Sequence, residues 1–453
     1  MKIIVVGAGT VGNAVCSQLA NENHDITVID TRDEVLKEIT DSTDVSSVCG
    51  NGADISVLKK AGAQDADLLV AVTSGDEINI LCCAAAKKLG TLHTVARVRN
   101  PEYNELMTLM QSEMNLSHTI NPELSVAKEI YRVLRYPFAT KVDTFCHGRV
   151  ELAQFKITSQ MPICSMSLND VRARLNVHFL VCAVLRGKEA HIPSGNFVLE
   201  DGDTVCVTAP DSEVTNFFKA IGIYKNPVKN IIIVGACRIT YYLQNLLRQG
   251  KVNSTVIDAN HSRCVELAKT FKGTVICGNP TKQELLLEQG LERTDALVAV
   301  SDSDEENVLA SMCAKGNGKQ DCKILTMIKT PSYVDLFKNV GLDSIVSPKT
   351  STVNHVLRYI RSMSNAHGSQ IKALHRLLDS RIEALEFEVS EEIDGITDVP
   401  LKSMKLKKGI LVACIVHKNS IVIPSGNDMI QKGDTVIVVT AKEQIKGLEE
   451  ILR

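Results

Sequence analysis

The sequence predicts an α/β protein with two parallel β-sheet lobes, each followed by a small α+β lobe, that arose by tandem duplication. Three observations predict this fold class. Apolar strands alternate with amphipathic helices at the start of the chain, the same order of segments returns 228 positions later, and a hairpin-rich segment also occurs twice. With 453 residues, 44% of them hydrophobic, the chain is long enough to bury several cores.

Strand and helix signals alternate in the first lobe. The stretch KIIVV is a continuous apolar strand, and TVGNAVCSQLA places Val11, Val15 and Leu19 on one helical face. Two further strands, DITVID and DLLVAVT, follow, and EINILCCAAAKKLG is helical. This βαβαβ order predicts a parallel sheet with helices on both faces.

A glycine-rich turn joins the first strand to the first helix. Gly7, Gly9 and Gly12 have the spacing G-x-G-x-x-G, and Asp30 follows at the end of the second strand. Gly7 allows the tight turn, Gly9 leaves room for a pyrophosphate, and Gly12 lets the helix pack on the strand. Asp30 can accept hydrogen bonds from both ribose hydroxyls. The pattern predicts a Rossmann-like dinucleotide site that prefers NAD(H) to NADP(H), a preference that the neighbouring Arg32 moderates.

Other candidate contacts lie in the loops at the same edge of the sheet. Thr73 and Ser74 follow a strand at its carboxyl end, where open α/β sheets bind ligands. Ser74 followed by Glu77 is also the pattern of a helix capping box, and both interpretations can hold together. The cofactor-binding residues predicted in this lobe are Gly7, Ala8, Gly9, Thr10, Val11, Gly12, Asp30, Asn51, Thr73, Ser74 and Arg97.

The nucleotide-binding pattern occurs a second time with changes. Three pairs share one offset: Gly7 with Gly235, Asp30 with Asp258, and Asn51 with Asn279. Cys237 and Thr240 replace two glycines, which predicts a weaker grip on a dinucleotide. Arg238 stands at the helix start, where its charge could meet a terminal phosphate. The candidates here are Gly235, Arg238, Asp258 and Ser301, and two alternatives stay open: a nucleotide with different phosphates, or none.

The smaller lobe also occurs twice. The stretch IPSGNFVLEDGDTVCVTA at 192–209 matches IPSGNDMIQKGDTVIVVTA at 423–441, and each ends in a Gly-Asp turn followed by β-branched residues. The predicted organisation is lobe A1 (1–122), a crossover helix (123–139), lobe B1 (140–223), lobe A2 (228–347), a second crossover helix (348–365) and lobe B2 (370–453). Each crossover segment opens with a proline near its start.

Composition excludes several classes of partner. Fifty Lys and Arg residues against 53 Asp and Glu give a net charge of -3, so no basic field attracts nucleic acid or lipid headgroups. Fourteen scattered cysteines are typical of reduced thiols in a cytosol. The apolar runs fall far short of the ~20 residues that cross a bilayer, so a soluble, cytoplasmic chain is expected.

The chain resembles the TrkA family of Trk-type potassium uptake proteins, which consist of two tandem regulator-of-K⁺-conductance (RCK) units. The stretches VVGAGTVG, LVAVTSGDEIN, TVARVRNPEY and the doubled IPSGN…GDT carry the resemblance, which spans essentially the whole chain. It implies a homo-oligomer, a dimer or a tetramer ring, peripheral on the inner face of the cell membrane. It further implies gating of a membrane potassium-translocating Trk subunit according to bound NAD(H) in A1, with ATP or ADP in A2 or competing in A1.

Two other classes of function remain as alternatives. An NAD-dependent oxidoreductase would need a substrate domain with an acid or base over the nicotinamide, and the small B lobes leave little room for one. A nucleotide sensor acting on a soluble partner would keep the same binding chemistry. We therefore expect no enzymatic activity, no catalytic residue and no resident metal. Whether a divalent cation binds near Asp76 and Glu77, or near Asp304 and Glu305, stays open.

Overall fold

The duplicated lobes are grouped by kind. The computed structural model describes residues 1–103, 116–175, 177–224, 226–342, 344–363, 369–378, 381–418, 420–441 and 445–453. They form two compact units, Met1–Tyr131 with Lys229–Leu357, and Arg132–Val228 with Arg358–Arg453. The first unit therefore contains A1 and A2, and the second contains B1 and B2.

Lobe A1 is built on a six-stranded parallel sheet with the order β3-β2-β1-β4-β5-β6. Strand β1 is apolar without alternation because helices cover both faces of the sheet, and Ile3 to Val6 are all buried. The strands are β1 Lys2–Val6, β2 Asp25–Asp30, β3 Ser46–Cys49, β4 Leu68–Ala71, β5 His93–Arg97 and β6 His118–Ile120; the helices are α1 Thr10–Ala20, α2 Asp33–Ser42, α3 Ile55–Lys60 and α4 Asp76–Leu89.

Lobe A2 repeats this topology with the order β14-β13-β12-β15-β16-β17. Its strands are β12 Asn230–Val234, β13 Asn253–Asp258, β14 Thr274–Cys277, β15 Ala296–Ala299, β16 Lys323–Met327 and β17 Ile345–Val346. Its helices, numbered after three helices of the intervening segments, are α8 Arg238–Gln249, α9 His261–Ala268, α10 Gln283–Glu288, α11 Asp304–Asn317 and α12 Val334–Asn339. The two sheets confirm the predicted duplication of a Rossmann-like lobe.

Each B lobe is a five-stranded antiparallel sheet, ordered β10-β9-β11-β8-β7 in B1 and β18-β19-β22-β20-β21 in B2. B1 contains β7 Lys141–Phe145, β8 Val150–Lys156, α6 Leu168–Arg174, β9 Leu180–Arg186, β10 Glu189–His191, β11 Thr204–Pro210 and α7 Asp211–Ala220. B2 contains β18 Ser369–Leu377, β19 Ile382–Val389, β20 Ile410–His417, β21 Ser420–Val422 and β22 Thr435–Thr440. A 3-10 turn, Leu401–Ser403, stands in B2 where B1 has α6.

Two long helices join the lobes of each repeat. Helix α5 is Pro122–Arg135 and α13 is Pro348–Met363, and both begin at a proline, whose missing N–H costs nothing at a first helical position. The buried residues of α5 are Val126, Ala127, Ile130, Val133 and Leu134, which form one apolar stripe. Residues 364–365 at the end of the second predicted crossover lie outside the described residues.

No helix among the described residues combines the length and the apolar composition needed to span a lipid bilayer. The buried apolar residues are instead distributed over the sheets and the helices that cover them.

Candidate functional site

A cleft of about 750 Å³ opens at the carboxyl ends of β1, β2 and β4 in lobe A1. Chain order reverses between β1 and β4, so the loops diverge there and leave the crevice in which open α/β sheets bind ligands. Of the residues predicted from the sequence, those that line the cleft are Gly7, Gly9, Thr10, Val11, Asp30, Asn51, Thr73, Ser74 and Arg97.

The glycine-rich loop forms the floor of the cleft. Gly7 has a φ of 102°, and its N–H donates to the Ile29 carbonyl at 2.7 Å. A Cβ atom on Gly12 would lie 1.8 Å from the Gly7 carbonyl oxygen, so this glycine allows α1 to pack on the loop. A Cβ atom on Gly9 would meet no atom within 4 Å. The backbone at Gly9 is therefore open to the cleft, whereas Gly12 serves the packing beneath it.

The start of α1 offers donors to the cleft. Gly9 is the N-cap residue and has no side chain that could cap the helix. The first intrahelical bond runs from the Asn13 N–H to the Gly9 carbonyl oxygen at 2.9 Å, so the N–H groups before Asn13 have no carbonyl partner within the helix. Free N–H groups and the positive end of the helix dipole together favour an anion at this position.

The Asp30 carboxylate lines the cleft at the end of β2. Its Oδ2 accepts the Ala8 N–H at 2.8 Å, and its Oδ1 accepts the Arg32 N–H at 3.0 Å and Nε at 3.2 Å. Burial raises the pKa of Asp30, but the hydrogen bonds from Arg32 and Ala8 outweigh burial and hold the pKa below its usual value. Asp30 therefore stays a carboxylate at neutral pH. Ala8 itself is buried beneath the loop and holds Asp30 in place.

The opposite wall depends on an asparagine that sequence reasoning did not include in the site. The buried Asn79 accepts the Thr73 N–H at 2.8 Å and the Thr73 hydroxyl at 2.7 Å, and its Nδ2 donates to the Arg97 carbonyl at 2.9 Å. Asn307 in A2 makes the equivalent bonds to Ser301 and Met327. The shared offset of the two asparagines was the signal that could have identified this role.

The predicted capping box at Ser74 and Glu77 is wrong. Helix α4 begins at Asp76 with Gly75 as its N-cap, and no side chain caps it there. The Tyr103 hydroxyl donates to Glu77 instead, and the Ser74 carbonyl accepts from Arg99. Because the helix starts later than the pattern suggested, Ser74 stays in the loop and lines the cleft.

Arg97 supplies a half-buried positive charge at the edge of the cleft. Its Nη2 donates to the Thr73 carbonyl at 2.5 Å, and its Nε has no hydrogen-bond partner among the described residues. Burial, with a smaller contribution from the charge of Arg99, lowers the pKa of Arg97 to about 10. The guanidinium is still charged at neutral pH, and its charge favours an anionic ligand in the cleft.

The two aspartates considered as cation ligands bind backbone instead. Asp76 Oδ2 accepts the N–H groups of Arg99 and Asn100, both at 2.8 Å. Asp304 accepts the N–H groups of Lys329 and Thr330 at 2.8 and 3.0 Å. Both carboxylates therefore fix the loop after the fifth strand of their lobe.

In lobe A2 the same loop is filled by side chains. Gly235 keeps the left-handed conformation with a φ of 112°, and Asp258 accepts the Ala236 N–H at 2.7 Å as Asp30 does with Ala8. Cys237, at the position of Gly9, directs its Sγ to the Val300 carbonyl at 3.2 Å. Thr240, at the position of Gly12, donates to the Gly235 carbonyl at 2.6 Å. The space that is open in A1 is therefore occupied in A2.

Charged side chains also bridge the A2 cleft. Asp302, the counterpart of Ser74, pairs with Arg263 on α9 at 2.8 Å and with Lys329 at 3.0 Å. Arg263 follows β13 and Asp302 follows β15, on either side of β12 and its loop. The ion pair therefore joins the segments that follow the two strands flanking β12, and Ser301 is buried.

The two A lobes touch beside the A1 cleft. Tyr242 on α8 donates its hydroxyl to the Arg99 carbonyl at 2.9 Å and accepts from Asn121 Nδ2 at 2.8 Å. The charge of Arg238, the first residue of the same helix, reaches Arg97 in A1 and Glu123 on α5. Arg238 thus lies near the junction with A1 as well as at the mouth of its own lobe.

Comparison with known proteins identifies both kinds of lobe. The TrkA-N domain model matches residues 3–122 and 231–348, and the TrkA-C domain model matches residues 152–222 and 387–453. A Trk system potassium uptake protein TrkA homolog 2 from Methanosarcina mazei is 31% identical over 465 residues and covers 100% of both chains. The Trk system potassium uptake protein TrkA of Vibrio alginolyticus is 30% identical over 459 residues, covering 100% of this chain and 99% of its own.

Solved structures share the fold. The GsuK channel bound to NAD superposes with a TM-score of 0.64 at 16% identity and covers 99% of this chain and 78% of its own. GsuK bound to ADP has a TM-score of 0.51 at 14% identity, with 79% of this chain and 69% of its own covered. At these identities the likeness concerns the fold.

The two loop glycines should respond differently to the same substitution. Gly12→Val is expected to destabilise lobe A1 by about 3 kcal/mol, because its side chain would overlap the Gly7 carbonyl. Gly9→Val should cost less than about 1 kcal/mol, since it alters only the N-cap residue. Hydrogen exchange of the β1 and β4 amides measures both effects, and equal losses in the two variants would contradict the assignment of these glycines.

Proposed function

This chain belongs to the TrkA family of Trk system potassium uptake proteins, and we propose that it binds NAD(H) in the A1 cleft and regulates a membrane potassium-translocating subunit. The observation that carries the proposal is the open backbone at Gly9, which faces the cleft between a free helix N-terminus and the Asp30 carboxylate. A pyrophosphate requires the first two features and a ribose the third.

The choice of NAD(H) follows from the charge at the end of β2. Asp30 is a carboxylate at neutral pH, and it would repel the 2′-phosphate of NADP(H) while accepting bonds from ribose hydroxyls. Arg32 is already paired with Asp30, which reduces its value as a phosphate ligand. A homologous fold has been solved with NAD bound, in the GsuK channel.

ATP or ADP would compete at the same cleft. GsuK has also been solved with ADP, and the free helix N-terminus of A1 accepts any phosphate chain. In A2 a cysteine side chain stands at the position of Gly9, and Arg263 and Asp302 pair across the carboxyl end of the sheet, which favours A1 as the nucleotide site. We therefore assign both classes of nucleotide to A1 and give A2 the role of its structural partner.

Regulation needs a route from the cleft to the rest of the molecule. Ser74 lines the cleft and accepts from Arg99, whose own carbonyl binds Tyr242 of lobe A2. A ligand that moves the Ser74 loop would therefore act on the contact between A1 and A2. Such a ligand changes the state of the membrane partner only if it binds two conformations of this chain with different affinity.

The assembly that we propose is a homo-oligomer, a dimer or a tetramer ring, that binds the cytoplasmic face of its membrane partner through protein contacts. The family name of its full-length relatives refers to a Trk system, which implies a second, membrane-embedded component. The net charge of -3 argues for recruitment by a protein and against recruitment by anionic lipid.

Binding of NADH should depend on Gly9 and be independent of Cys237. The Gly9→Val side chain would fill the space of the pyrophosphate, so NADH affinity should fall at least about 100-fold, the scale of losing more than 2 kcal/mol of phosphate contacts. Cys237→Ala is the matched control in A2 and should bind NADH like the wild type. Isothermal calorimetry measures both, and unchanged affinity in Gly9→Val would contradict the site.

We propose further that the protein is not an enzyme. The described residues that line the A1 cleft include no histidine, cysteine or lysine, and their carboxylate Asp30 is engaged by backbone N–H groups. Bound NADH should therefore stay reduced during incubation with aldehyde and ketone substrates, followed by its absorbance. Turnover that disappears in Gly9→Val would favour the oxidoreductase alternative.

Potassium flux through the membrane partner should depend on this chain and on the nucleotide. The measurement is flux into liposomes that contain the Trk membrane subunit, with and without this chain, in NADH, NAD⁺, ATP or ADP. We expect flux to differ between nucleotides with wild-type protein and to lose the NADH response with Gly9→Val. Equal flux in all conditions, without co-elution of the two proteins, would favour a sensor that acts on a soluble partner.

A further inference from the structure

Lobes B1 and B2 share a hydrophobic core to which equivalent strands of the two repeats contribute. Phe145, Val150 and Leu152 of B1 pack in one buried cluster with Leu377 and Ile382 of B2. Strands β7 and β18 are each the first strand of their lobe along the chain and an edge strand of its sheet, and each pairs with the next strand along the chain. The two sheets therefore pack together through equivalent strands, one set from each repeat.

A single offset of 232 residues relates the two lobes in this region. It pairs Glu151 with Glu383 and Phe155 with Phe387 in the sequence. It also pairs the residues that follow β7 and β18, Cys146 and Leu378, and both have left-handed backbone, with φ of 52° and 48°. Positive φ is rare outside glycine, so its recurrence at both positions supports the alignment independently of residue type.

Asp143 and His375 are equivalent under the same offset, and they contact each other. His375 Nδ1 lies 2.9 Å from Asp143 Oδ1. The side chain of Asp143 is 6% exposed and that of His375 is 22% exposed. Only residues near a two-fold axis can touch their own counterparts, so this pair marks the pseudo-two-fold axis between B1 and B2.

The pair is complementary only because the repeats differ there. Burial raises the pKa of Asp143, but Lys141 and His375 outweigh burial and hold it well below its usual value. If two B1 lobes met in the same way, Asp143 would face a second Asp143, and two close carboxylates resist joint ionisation. If two B2 lobes met, His375 would face a second His375, and repulsion between two imidazolium charges would oppose protonation of both rings.

We propose that Asp143 and His375 determine which B lobes pair: a B1 lobe accepts a B2 lobe, with histidine at the equivalent position, and rejects a second B1 lobe. The partner that this surface selects is the other repeat unit. The selection works by the same rule as charge patterns that specify partners in coiled coils, in which the unwanted pairing is penalised.

Two further hydrogen bonds near the axis break the symmetry in the same way, because in each of them B1 supplies the donor and B2 supplies the acceptor. Lys141 Nζ donates to the Arg376 carbonyl at 2.9 Å, and the residue equivalent to Lys141 is Ala373. The Cys146 N–H donates to Glu386 Oε2 at 2.8 Å, and the equivalent of Glu386 is Gln154. In a pair of two B1 lobes, Lys141 would also lie beside Asp143, and its charge would reduce the repulsion between the two carboxylates. It would not replace the hydrogen bond between His375 and Asp143.

Substitution in the full chain reproduces the two side chains that would meet at the axis in each unwanted pairing. His375→Asp places a carboxylate at both equivalent positions, as two B1 lobes would, and Asp143→His places an imidazole at both. The double variant Asp143→His with His375→Asp restores a complementary pair in the opposite orientation. The readout is the thermal midpoint of the B1–B2 unit by scanning calorimetry between pH 5 and pH 8.

We expect the two single variants to lose stability with opposite dependence on pH. In His375→Asp one carboxyl must stay protonated, so its pKa rises above the unfolded value, and the lost stability returns as the pH falls. In Asp143→His protonation is opposed, so the loss is larger at pH 5 than at pH 8. Each midpoint should fall by at least about 4 °C at the unfavourable pH. The charged groups around the pair are Lys141, Arg132, Arg376, Glu383 and Glu386.

The double variant decides the proposal. It should recover more than half of the summed loss, whereas losses that simply add, or single variants without opposite pH slopes, would overturn it. His375→Asn keeps a donor without a titrating group, and it should show a small, pH-independent shift even if a charged variant fails to fold. The exposed pair Lys372–Glu388 in the same sheet is the control, and Glu388→Lys should shift the midpoint by less than about 2 °C.

Discussion

The buried amide of Asn79 fixes the wall on which the A1 cleft depends. It binds the backbone and hydroxyl of Thr73 and the carbonyl of Arg97, and so ties the end of β4 to the end of β5. A buried amide without hydrogen-bond partners costs free energy. The loops are therefore held in the arrangement that gives the Asn79 amide its partners. With the loops held, Ser74 and Arg97 face the cleft across from the glycine-rich loop, and the same arrangement recurs around Asn307.

The fold and the glycine-rich loop could be predicted because local signals determine them. Continuous apolar strands, amphipathic helices and Gly7, Gly9 and Gly12 act within a few residues of one another. Other features depend on contacts between distant residues. Asn79 has no local motif, and only its equivalence to Asn307 in the repeat distinguishes it in the sequence. The start of α4 at Asp76 is fixed by bonds from the loop at Arg99. The pattern at Ser74 therefore predicted a cap that the structure does not form.

The two A lobes share their strand order and the conformation of the loop after the first strand, and they differ in the side chains at that loop. Gly235 and Asp258 keep the conformation and the bond of Gly7 and Asp30. Cys237 stands where A1 has Gly9, and Asp302 pairs with Arg263 across the carboxyl end of the sheet. A lobe can thus keep its sheet, its packing helix and its contact with the other lobe after its cavity has closed. The contact through Tyr242 needs the helix of A2, and does not need a ligand there.

Fusion of the two repeats into one chain changes how their shared core can evolve. In a dimer of identical subunits, every substitution at a two-fold axis appears twice and meets its own copy. Here a substitution in B1 meets an unchanged partner in B2, so an acid can face a base at the axis, as Asp143 faces His375. Genetic linkage also keeps the two members of such a pair together through inheritance. A tandem chain can therefore acquire asymmetric contacts one mutation at a time, a path that is closed to a gene encoding a single repeat.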